Sequence, residues 1–403
     1  LLSYRVGPYA AGGSGFYGGA IDYFNLVNAT GGINGVKVSW EECETEYNPS
    51  RGVECYERLK AKNGGASLVE PLSTGIAYGI LDRVATDKIP LTTLGYGRSD
   101  AVNGKVFPYV YPLISTYWDQ AAAMVKYLAE KSGGSLKGKK IVHLYHDSPF
   151  GKEPLPVLEA EAAKWGFELV KIPVTPPGNE QQSQWLQIRQ AHPDFVILWG
   201  WGVMNSVAIK TAQRNGFPRE KMLGVWWAGS EEDTLPAGDA AKGYTSMTFN
   251  TPGNYPVIDE IRKKVYGAGK GNLSDQSRIG SVYHMRGMTE GVLWTEAIRA
   301  AQEKFGKGKV MTGEQIRWGL ENLNIDEARQ KALGVLNMFP TVKTSCDDHG
   351  GSHAVKVQQW DGSKWVAVTP NWVVGDKALV QKIVDESSAK YAAEKKITPA
   401  CAK

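Results

Sequence analysis

The sequence predicts an α/β protein made of two doubly wound lobes that are joined by three hinge crossings. Strand-like and helix-like segments alternate over the first quarter of the chain. The alternation stops at a run rich in proline and aromatic residues, FPYVYPLISTYW, and restarts in a second block after it. A chain of 403 residues is also too long for one ordinary hydrophobic core. Alternating strands and helices are typical of parallel sheets covered by helices on both faces.

Composition narrows the class of protein. Hydrophobic residues make up 42% and charged residues 22% of the chain, as in soluble globular proteins. The formal net charge of +4, without a lysine or arginine run, argues against a nucleic-acid partner. No apolar run approaches the roughly 20 residues that a membrane helix needs. The chain opens on a strand-like segment without a signal peptide, so we expect the mature form of an exported protein.

The first lobe is expected to contain a β-α-β unit that ends in two polar turns. Strands are predicted at residues 1–7, 36–40, 66–69 and 89–94, and helices at about 16–28, 49–62 and 76–87. Ser73 and Thr74 begin the last of these helices, and Gly95 and Tyr96 follow the next strand. The carboxyl ends of strands in open α/β sheets bind ligands. Hydroxyl groups and free N–H groups at a helix start can hold a carboxylate. The alternative is that Ser73 or Thr74 only caps the helix.

A glycine motif near the start of the chain offers a second function. Gly13, Gly15 and Gly18 match the GxGxxG spacing of dinucleotide-binding turns, and Glu42 ends the next strand. The loop before the motif is long and contains Pro8, whereas a fingerprint turn is tight. A nucleotide-dependent oxidoreductase is therefore kept as a remote alternative.

The second lobe repeats the alternation. Helices are predicted at 119–131, 152–165, 183–191 and 203–215, and strands at about 139–146, 168–173, 194–199 and 222–227. Later helices at 257–266, 279–305 and 313–322 are expected to complete the first lobe; an Asp361-Gly362 hairpin and a helix at 377–395 follow. We assign residues 1–115 and 252–340 to the N-terminal lobe and 119–248 and 346–403 to the C-terminal lobe. The crossings then lie near 107–118, 249–256 and 336–345.

The four cysteines indicate two disulfides. Cys43 and Cys55 bracket a loop that leads into a helix, so a bridge between them is sterically easy. Cys346 and Cys401 would tie down the C-terminal tail. An even count without a CxxC motif favours disulfides over zinc, and disulfides indicate an oxidising compartment. The alternative is four unpaired thiols in a cytosolic protein.

Aromatic residues are concentrated at predicted strand ends and loops. Two such lobes make a cleft that the carboxyl ends of both sheets face, which suits a hinged binder. Aromatic rings at cleft-facing turns grip apolar or planar ligands, whereas rings inside strands belong to a core. Trp199 and Trp226 are open to the core interpretation. The residues concerned are Tyr9, Phe16, Tyr96, Phe150, Trp199, Trp201, Trp226 and Trp227.

Catalytic and metal-binding patterns are weak. The sequence has no GxSxG elbow, HExxH pair or P-loop. We interpret His146-Asp147 as a polar strand end, the Asp347–His353 stretch as a polar loop rather than a metal site, and Arg286 as a solvated helix residue. Arg286, one turn from Tyr283, would alternatively reach a carboxylate. We therefore expect no enzyme, no metal and no cofactor.

The chain resembles the type I periplasmic solute-binding proteins, specifically the leucine/isoleucine/valine-binding branch of ABC-importer receptors. The resemblance covers nearly the whole chain and implies two lobes, three hinge strands and a ligand cleft. It also implies a monomeric periplasmic receptor that delivers a small molecule to an ABC permease in the inner membrane; a sensory receptor of the same fold is an alternative. The segments that carry it are GPYAAGGSGFYGGA, NATGGINGVKV, the Ser73-Thr74 turn, IPLTTLGYG, HDSPFGK, DFVILWGWG, NGF and GDAAKGY.

The resemblance also assigns the site. The turns matching Ser73-Thr74 and Gly95-Tyr96 would hold the ligand carboxylate, and the aromatic positions matching Phe150 and Trp201 would close over it. Further apolar walls would come from Tyr9, Phe16, Trp226 and Trp227.

One departure from the family pattern bears on the ligand. Amino-acid-binding members place an acidic residue at about the position of Trp226, where this chain has VWWAG. An ammonium group buried against indole would cost several kcal/mol unless a cation–π contact or Glu231 compensates. We therefore expect a small apolar or aromatic carboxylate as the ligand. A branched-chain or hydrophobic amino acid or amide is the alternative.

Overall fold

The structure, a computed structural model, describes residues 1–402 and divides them into two compact units. Unit 1 contains Leu1–Thr116, Gly253–Ser352 and the described residues from Val384 onward. Unit 2 contains Tyr117–Pro252 and His353–Ile383. Among the described helices, none combines the length and the apolar character that crossing a bilayer requires.

The C-terminal segment differs from the expected assignment of residues 346–403 to the second lobe. The Tyr391 hydroxyl donates to Asp82 Oδ1 at 2.9 Å, and the Tyr391 ring stacks on Phe107 with centroids 4.7 Å apart. The Cys346–Cys401 disulfide joins the tail to the same unit. These contacts assign the end of the chain to unit 1. The chain therefore passes from one unit to the other four times instead of the expected three, and the fourth crossing follows Ile383.

Both predicted disulfides are confirmed. Cys43 bonds to Cys55 and Cys346 bonds to Cys401, in each case with Cα atoms 5.7 Å apart. This separation lies in the ordinary range for a disulfide.

The extended segments of unit 1 run side by side in parallel. Strand Leu91–Thr92 pairs with Val110–Tyr111. Backbone hydrogen bonds extend the arrangement, since Val69 N–H donates to the Pro90 carbonyl, Leu2 N–H to Glu70 and Cys43 N–H to Leu1, at 3.0, 3.0 and 3.1 Å. The first segment of the chain thus lies in the middle, with the next segment on one side and the later ones on the other. This order is that of a doubly wound sheet.

Two long helices, Ala10–Ala29 and Val282–Phe305, form the centre of unit 1. The other α-helices are Pro49–Leu59, Thr74–Asp87, Pro256–Ile261, Gly313–Glu321 and Glu327–Ala332. Short 3₁₀ turns lie at Lys62–Gly64, Ser99–Val102 and Gln276–Arg278, and a π turn lies at Arg262–Tyr266. An antiparallel pair, Asn324–Ile325 with Val342–Lys343, is added. A Cβ atom at Gly19 would lie 2.0 Å from the His284 carbonyl oxygen, and one at Gly287 would lie 1.8 Å from that of Phe16. Glycine therefore lets the first helix touch Val282–Phe305 through its backbone.

Helix Ala10–Ala29 also contains the glycines of the proposed dinucleotide-binding motif. Gly13, Gly15 and Gly18 all lie inside Ala10–Ala29, where the backbone is helical. A Cβ at Gly13 would lie 2.3 Å from the Tyr4 carbonyl oxygen, so this glycine serves close packing. The motif does not form the tight strand-to-helix turn that binds a pyrophosphate.

Unit 2 contains a seven-stranded mixed sheet. Its strands stand in the order Trp365–Ala367, Lys356–Trp360, Thr245–Thr248, Met222–Gly224, Phe195–Trp199, Lys140–His146 and Glu168–Val174. The last five are mutually parallel, and the hairpin around Asp361 adds the two antiparallel strands at one edge.

Helices cover this sheet. They are Tyr117–Lys131, Pro149–Lys152, Leu155–Trp165, Gln182–Ala191, Val203–Arg214 and Glu231–Thr234, with 3₁₀ turns at Arg219–Lys221, Trp226–Ala228 and Leu235–Ala241. The C-terminal helix Lys377–Lys395 carries the boundary between the units.

Candidate functional site

The turn formed by Leu72–Thr74, which we call the carboxylate turn, opens helix Thr74–Asp87. Ser73 is the N-cap, and its Oγ accepts a hydrogen bond from Ile76 N–H at 3.2 Å. The Ser73 carbonyl accepts from Ala77 N–H at 2.9 Å. Because the first four N–H groups of a helix have no partner inside it, those of Thr74 and Gly75 remain for an acceptor outside the helix. An anion is favoured at this positive end of the helix dipole.

Thr74 joins this turn to the second predicted turn. Its Oγ1 accepts from Gly97 N–H at 3.3 Å, so the segments that contain Ser73 and Gly95 lie side by side in unit 1. Gly95 has a φ of 73°, which a side chain would strain. The Tyr96 N–H donates to the Thr93 carbonyl at 3.3 Å and is engaged within its own turn. The Tyr96 ring is buried, with its hydroxyl bonded to the Glu70 carboxyl group.

Tyrosines surround the carboxylate turn. The Tyr4 hydroxyl donates to the Leu72 carbonyl at 2.7 Å. The Tyr47 ring lies 4.4 Å from Tyr9 and 5.1 Å from Tyr4 between centroids, and its hydroxyl is hydrogen-bonded with Ser73. Burial raises the pKa of Tyr9 to about 12, so this hydroxyl stays protonated. Sequence reasoning missed Tyr47; the available signal was an aromatic residue inside the loop that the first disulfide closes.

Phe16 does not occupy the loop position that we expected. The helix begins at Ala10, six residues before the predicted start, so Phe16 lies in its second turn. Its side chain is fully buried and meets Tyr17 edge-on, with centroids 5.5 Å apart. Within unit 1 it is part of the packed interior.

The aromatic residues predicted for the second lobe form one buried cluster in unit 2. Trp226 stacks on Tyr117 at 5.6 Å and meets Phe249 edge-on at 5.2 Å. Trp201 and Trp227 meet edge-on at 5.4 Å. Phe150 lies 5.6 Å from Tyr117 and 6.5 Å from Trp199 between ring centroids. Trp199 and Trp226 are 0% exposed, and Phe150, Trp201 and Trp227 are 3% exposed. Tyr117 and Phe249 were missed, although both flank the proline-rich crossings.

The tryptophan turn, residues Trp226–Gly229, is held by side-chain amides from three different elements. Trp226 N–H donates to Gln120 Oε1 at 2.8 Å. Asn205 Nδ2 donates to the Trp227 carbonyl at 2.9 Å, and Gln358 Nε2 donates to the Gly229 carbonyl at 2.7 Å. A Cβ at position 229 would lie 2.0 Å from Ser246 Oγ, so only glycine fits. The turn is therefore fixed in place, as preorganised binding surfaces require.

His146 positions the loop that carries Phe150. Its Nδ1 lies 2.7 Å from Ser148 Oγ, and Ser148 caps the short helix Pro149–Lys152 that carries Phe150. Burial lowers the pKa of His146 to about 4, so the imidazole is neutral near pH 7. Asp147 points elsewhere and pairs with Lys152 at 3.0 Å. The polar-strand-end interpretation of this pair therefore fits the geometry.

Carboxyl groups lie immediately after the tryptophan turn. Ser230 Oγ donates to Glu231 Oε2 at 3.1 Å and also contacts Glu232 Oε2. Burial, followed by repulsion from Glu231, raises the pKa of Glu232 to about 7. Glu231 was considered as a partner for a ligand ammonium, whereas Glu232 was missed.

The other polar candidates have structural roles. His349 Nδ1 lies 2.7 Å from the Val110 carbonyl, and His353 Nδ1 lies 2.9 Å from Asp119 Oδ2. Within residues 1–402 no group of three or more His, Cys, Asp or Glu could hold a metal ion. Arg286 is fully buried with its guanidinium 5.6 Å from the Tyr283 ring centroid, so its interpretation as a solvated residue is wrong.

Comparison with known proteins identifies a family model and a curated relative that match the chain. A family model described as periplasmic binding protein matches residues 1–364. The curated Leu/Ile/Val-binding protein homolog 3 of Brucella melitensis is 23% identical over 202 residues, 50% of this chain and 53% of the relative. The chain thus matches about half the length of that relative.

Three solved structures each match at least 94% of the chain. One from the Pseudomonas fluorescens group, described as an ABC transporter permease, is 46% identical with a TM-score of 0.91 over 100% of this chain and 98% of that one. A branched-chain amino acid ABC transporter from Thermus thermophilus with bound valine is 21% identical, with a TM-score of 0.78 over 94% and 96%. A solute-binding protein from R. palustris in complex with benzoate is 19% identical, with a TM-score of 0.72 over 94% and 97%. The last two show a shared fold. The predicted α/β fold class is confirmed, and the chain belongs to the periplasmic binding protein family.

Proposed function

We propose that the protein is an extracytoplasmic solute-binding receptor of an ABC importer and that its ligand is a small apolar or aromatic carboxylate. The match of the family model to residues 1–364 supports the receptor role. The observation that carries the ligand class is the tryptophan turn, whose indole rings at Trp226 and Trp227 are 0% and 3% exposed. The resemblance implies an acid at about the position of Trp226 in members that bind amino acids.

The carboxylate turn is proposed to bind the acid group. Ser73 Oγ accepts from Ile76 N–H, and its hydroxyl proton is the group proposed to donate to the carboxylate. The N–H groups of Thr74 and Gly75 add two donors at the positive end of the helix. Hydrogen bonds to an ionised acceptor are about twice as strong as neutral ones, so this donor set favours an anion.

The aromatic cluster is proposed to bind the apolar body of the ligand. Phe150, Trp201 and Trp227 are each 3% exposed and pack against fully buried neighbours. A ring or branched chain in van der Waals contact with them gains the dispersion and desolvation energy of an apolar pocket. An unpaired ammonium group in the same place would lose its hydration without a partner.

A ligand panel tests the proposal. Purified protein is melted in the presence of benzoate, 3-phenylpropanoate, valine and leucine, and hits are titrated by calorimetry. We expect the aryl carboxylates to raise the melting temperature and to quench tryptophan fluorescence. Benzamide is the matched control, since it keeps the ring and removes the charge. A shift produced by the amino acids alone would overturn the assignment.

Binding of a branched-chain amino acid is the second candidate. The observation in its favour is the pair Glu231 and Glu232 directly after the tryptophan turn. Glu232→Gln would then abolish valine binding and leave benzoate binding unchanged. Glu220→Gln, in the 3₁₀ turn Arg219–Lys221 of the same unit, is a control for a general change in charge.

The cellular setting forms part of the proposal. We propose a periplasmic monomer that delivers its ligand to an ABC permease and uses no cofactor. Two disulfides support an oxidising compartment. Light scattering coupled to gel filtration measures the mass; a dimer would contradict the monomer, and a cytoplasmic location in fractionated cells would contradict the export.

A further inference from the structure

Two carboxyl groups lie side by side beneath the carboxylate turn. Glu70 ends the extended segment that leads into the turn, and Glu290 lies in the middle of helix Val282–Phe305. Their exposed fractions are 0% and 1%. Thr92 Oγ1 contacts both, at 3.4 Å from Glu70 Oε2 and in close contact with Glu290 Oε1. Glu290 Oε2 has no hydrogen-bond partner among the described residues.

The groups around this carboxyl pair contain too few donors for two ions. Glu70 Oε1 accepts from Leu72 N–H at 2.6 Å and from the Tyr96 hydroxyl. The Thr92 hydroxyl supplies one proton, and its oxygen accepts from Trp294 Nε1 at 2.9 Å. Neither carboxyl group forms an ion pair with a lysine, arginine or histidine of residues 1–402. Two buried carboxylates without a cation repel strongly, and one proton shared between them supplies the missing donor.

The other ionisable groups that face the pair form no ion pair with it among residues 1–402. The Tyr17 hydroxyl donates to the Glu70 carbonyl at 3.3 Å, and burial raises the pKa of both Tyr17 and Tyr96 well above the usual value. The α-amino group of Leu1 donates to the Glu41 carbonyl at 2.8 Å, and burial lowers its pKa to about 6. Burial and the neighbouring acid raise the pKa of Glu70, and burial raises that of Glu290 to about 7.

The pair is connected to the carboxylate turn through Leu72. This residue has a φ of 41°, a left-handed conformation that a leucine adopts only when its surroundings impose it. Its N–H is held by Glu70 Oε1 and lies 3.1 Å from the Tyr96 hydroxyl, and its carbonyl accepts from Tyr4. The state of the Glu70 carboxyl group therefore acts on the residue that directly precedes Ser73.

We propose that Glu70 and Glu290 share one proton and act as positioning residues for the carboxylate turn, so that loss of this proton weakens the binding of a carboxylate ligand. The protonated pair keeps Leu72 in place and presents the Ser73, Thr74 and Gly75 donors. Loss of the proton puts a second negative charge beneath a turn that receives an anion. This inference rests on the proposed function.

The experiment titrates benzoate into the full chain by calorimetry from about pH 5 to about pH 9, where benzoate stays ionised. Since one pKa unit of coupling corresponds to tenfold in affinity, we expect wild-type Kd to rise about tenfold across this range. Glu290→Gln keeps the shape and removes the titration, so its Kd should stay constant. Glu296→Gln is the matched control, because Glu296 is on the same helix but pairs with Arg329 at 2.7 Å. The control should keep the wild-type profile.

A measurement without ligand tests the shared proton separately from the effect of this proton on carboxylate binding. Infrared difference spectra of wild type against Glu290→Gln should show the C=O stretch of a protonated carboxylic acid below about pH 6, and the band should vanish as pH rises. Absence of this band, or a wild-type pH profile in Glu290→Gln, overturns the shared proton. A band without carboxylate binding at any pH overturns the proposed ligand and the positioning role, whereas the shared proton stands.

Discussion

Ser73→Ala separates a helix cap from a ligand contact. The substitution removes the acceptor for Ile76 N–H, which lies 3.2 Å from Oγ. Loss of a serine N-cap costs about 1 kcal/mol, which lowers the melting temperature of a unit of this size by about 2–4 °C. If the Ser73 hydroxyl also donates to the ligand carboxylate, the variant loses a hydrogen bond to a charged group. Such a bond contributes about 1.5–3 kcal/mol, so Kd should rise about 10- to 150-fold.

Thr312→Ala provides the control for this experiment. Thr312 caps helix Gly313–Glu321 in the same unit, and its Oγ1 accepts from Gln315 N–H at 3.3 Å. Its loss should lower the melting temperature similarly and leave benzoate affinity unchanged. Both variants are measured by differential scanning calorimetry and by benzoate titration. Equal affinities in Ser73→Ala, Thr312→Ala and wild type would refute the ligand role and leave Ser73 as a cap alone.

Three further predictions concern stability and its link to binding. Asn205→Ala leaves a buried carbonyl of the tryptophan turn without its donor, so urea unfolding should show a loss of about 1–3 kcal/mol, and ligand-induced fluorescence quenching should decrease. Asp22→Asn breaks the buried pair with His284, whose Nε2 lies 2.8 Å from Oδ2, and should cost about 3–5 kcal/mol without changing Kd. Folding raises the pKa of Glu290 from its ordinary value of 4.5 to about 7. Between pH 4.5 and pH 7 the native state therefore binds more protons than the unfolded state, so the free energy of unfolding should fall as pH rises through this window. An unchanged unfolding curve in the matching variant or pH series would contradict each of these expectations.

Unit 2 was the part that its sequence pattern predicted best. In the strand predicted at 194–199, residues 195–199 are all valine, isoleucine, leucine or aromatic, and the strand is observed at Phe195–Trp199. Such runs are typical of parallel strands that are buried on both faces. The Asp361-Gly362 turn likewise produced the expected hairpin, with Trp360 opposite Trp365.

The errors arose where contacts distant in sequence decide the structure. Helix Ala10–Ala29 begins six residues before its predicted start near Phe16, and the added turns contain glycines, each of which disfavours a helix by about 1 kcal/mol. Within those turns a Cβ atom at Gly13 would lie 2.3 Å from the Tyr4 carbonyl oxygen, so the helix packs closely against the preceding segment there, and no local pattern reveals this contact. The return of the C-terminal segment to unit 1 depends on contacts such as Tyr391 with Asp82, which periodicity does not encode.

The buried carboxyl pair of Glu70 and Glu290 was not predicted, because it too depends on contacts between residues that are distant in sequence. Glu70 and Glu290 are separated by most of the chain, and each alone resembles an ordinary surface acid. Only the fold brings them to the two sides of Thr92. The predicted site residues Ser73 and Thr74 were accessible from sequence because helix starts have a local signature, whereas the groups that support them have none.

The position of Trp226 has a consequence for how ligand class is set. Its ring is 0% exposed, stacked on Tyr117 and met edge-on by Phe249, so both partners hold it as part of the cluster interior. Under the proposed function, Trp226 contributes to specificity by taking the place of a carboxylate, and Phe150, Trp201 and Trp227 are the rings proposed to contact the ligand. An acid at position 226 would be buried among rings, far from water. Under the same proposal, the cluster as a whole, rather than one residue, selects against an ammonium group, and Glu231 and Glu232, which follow the tryptophan turn, are the acids that could pair with one.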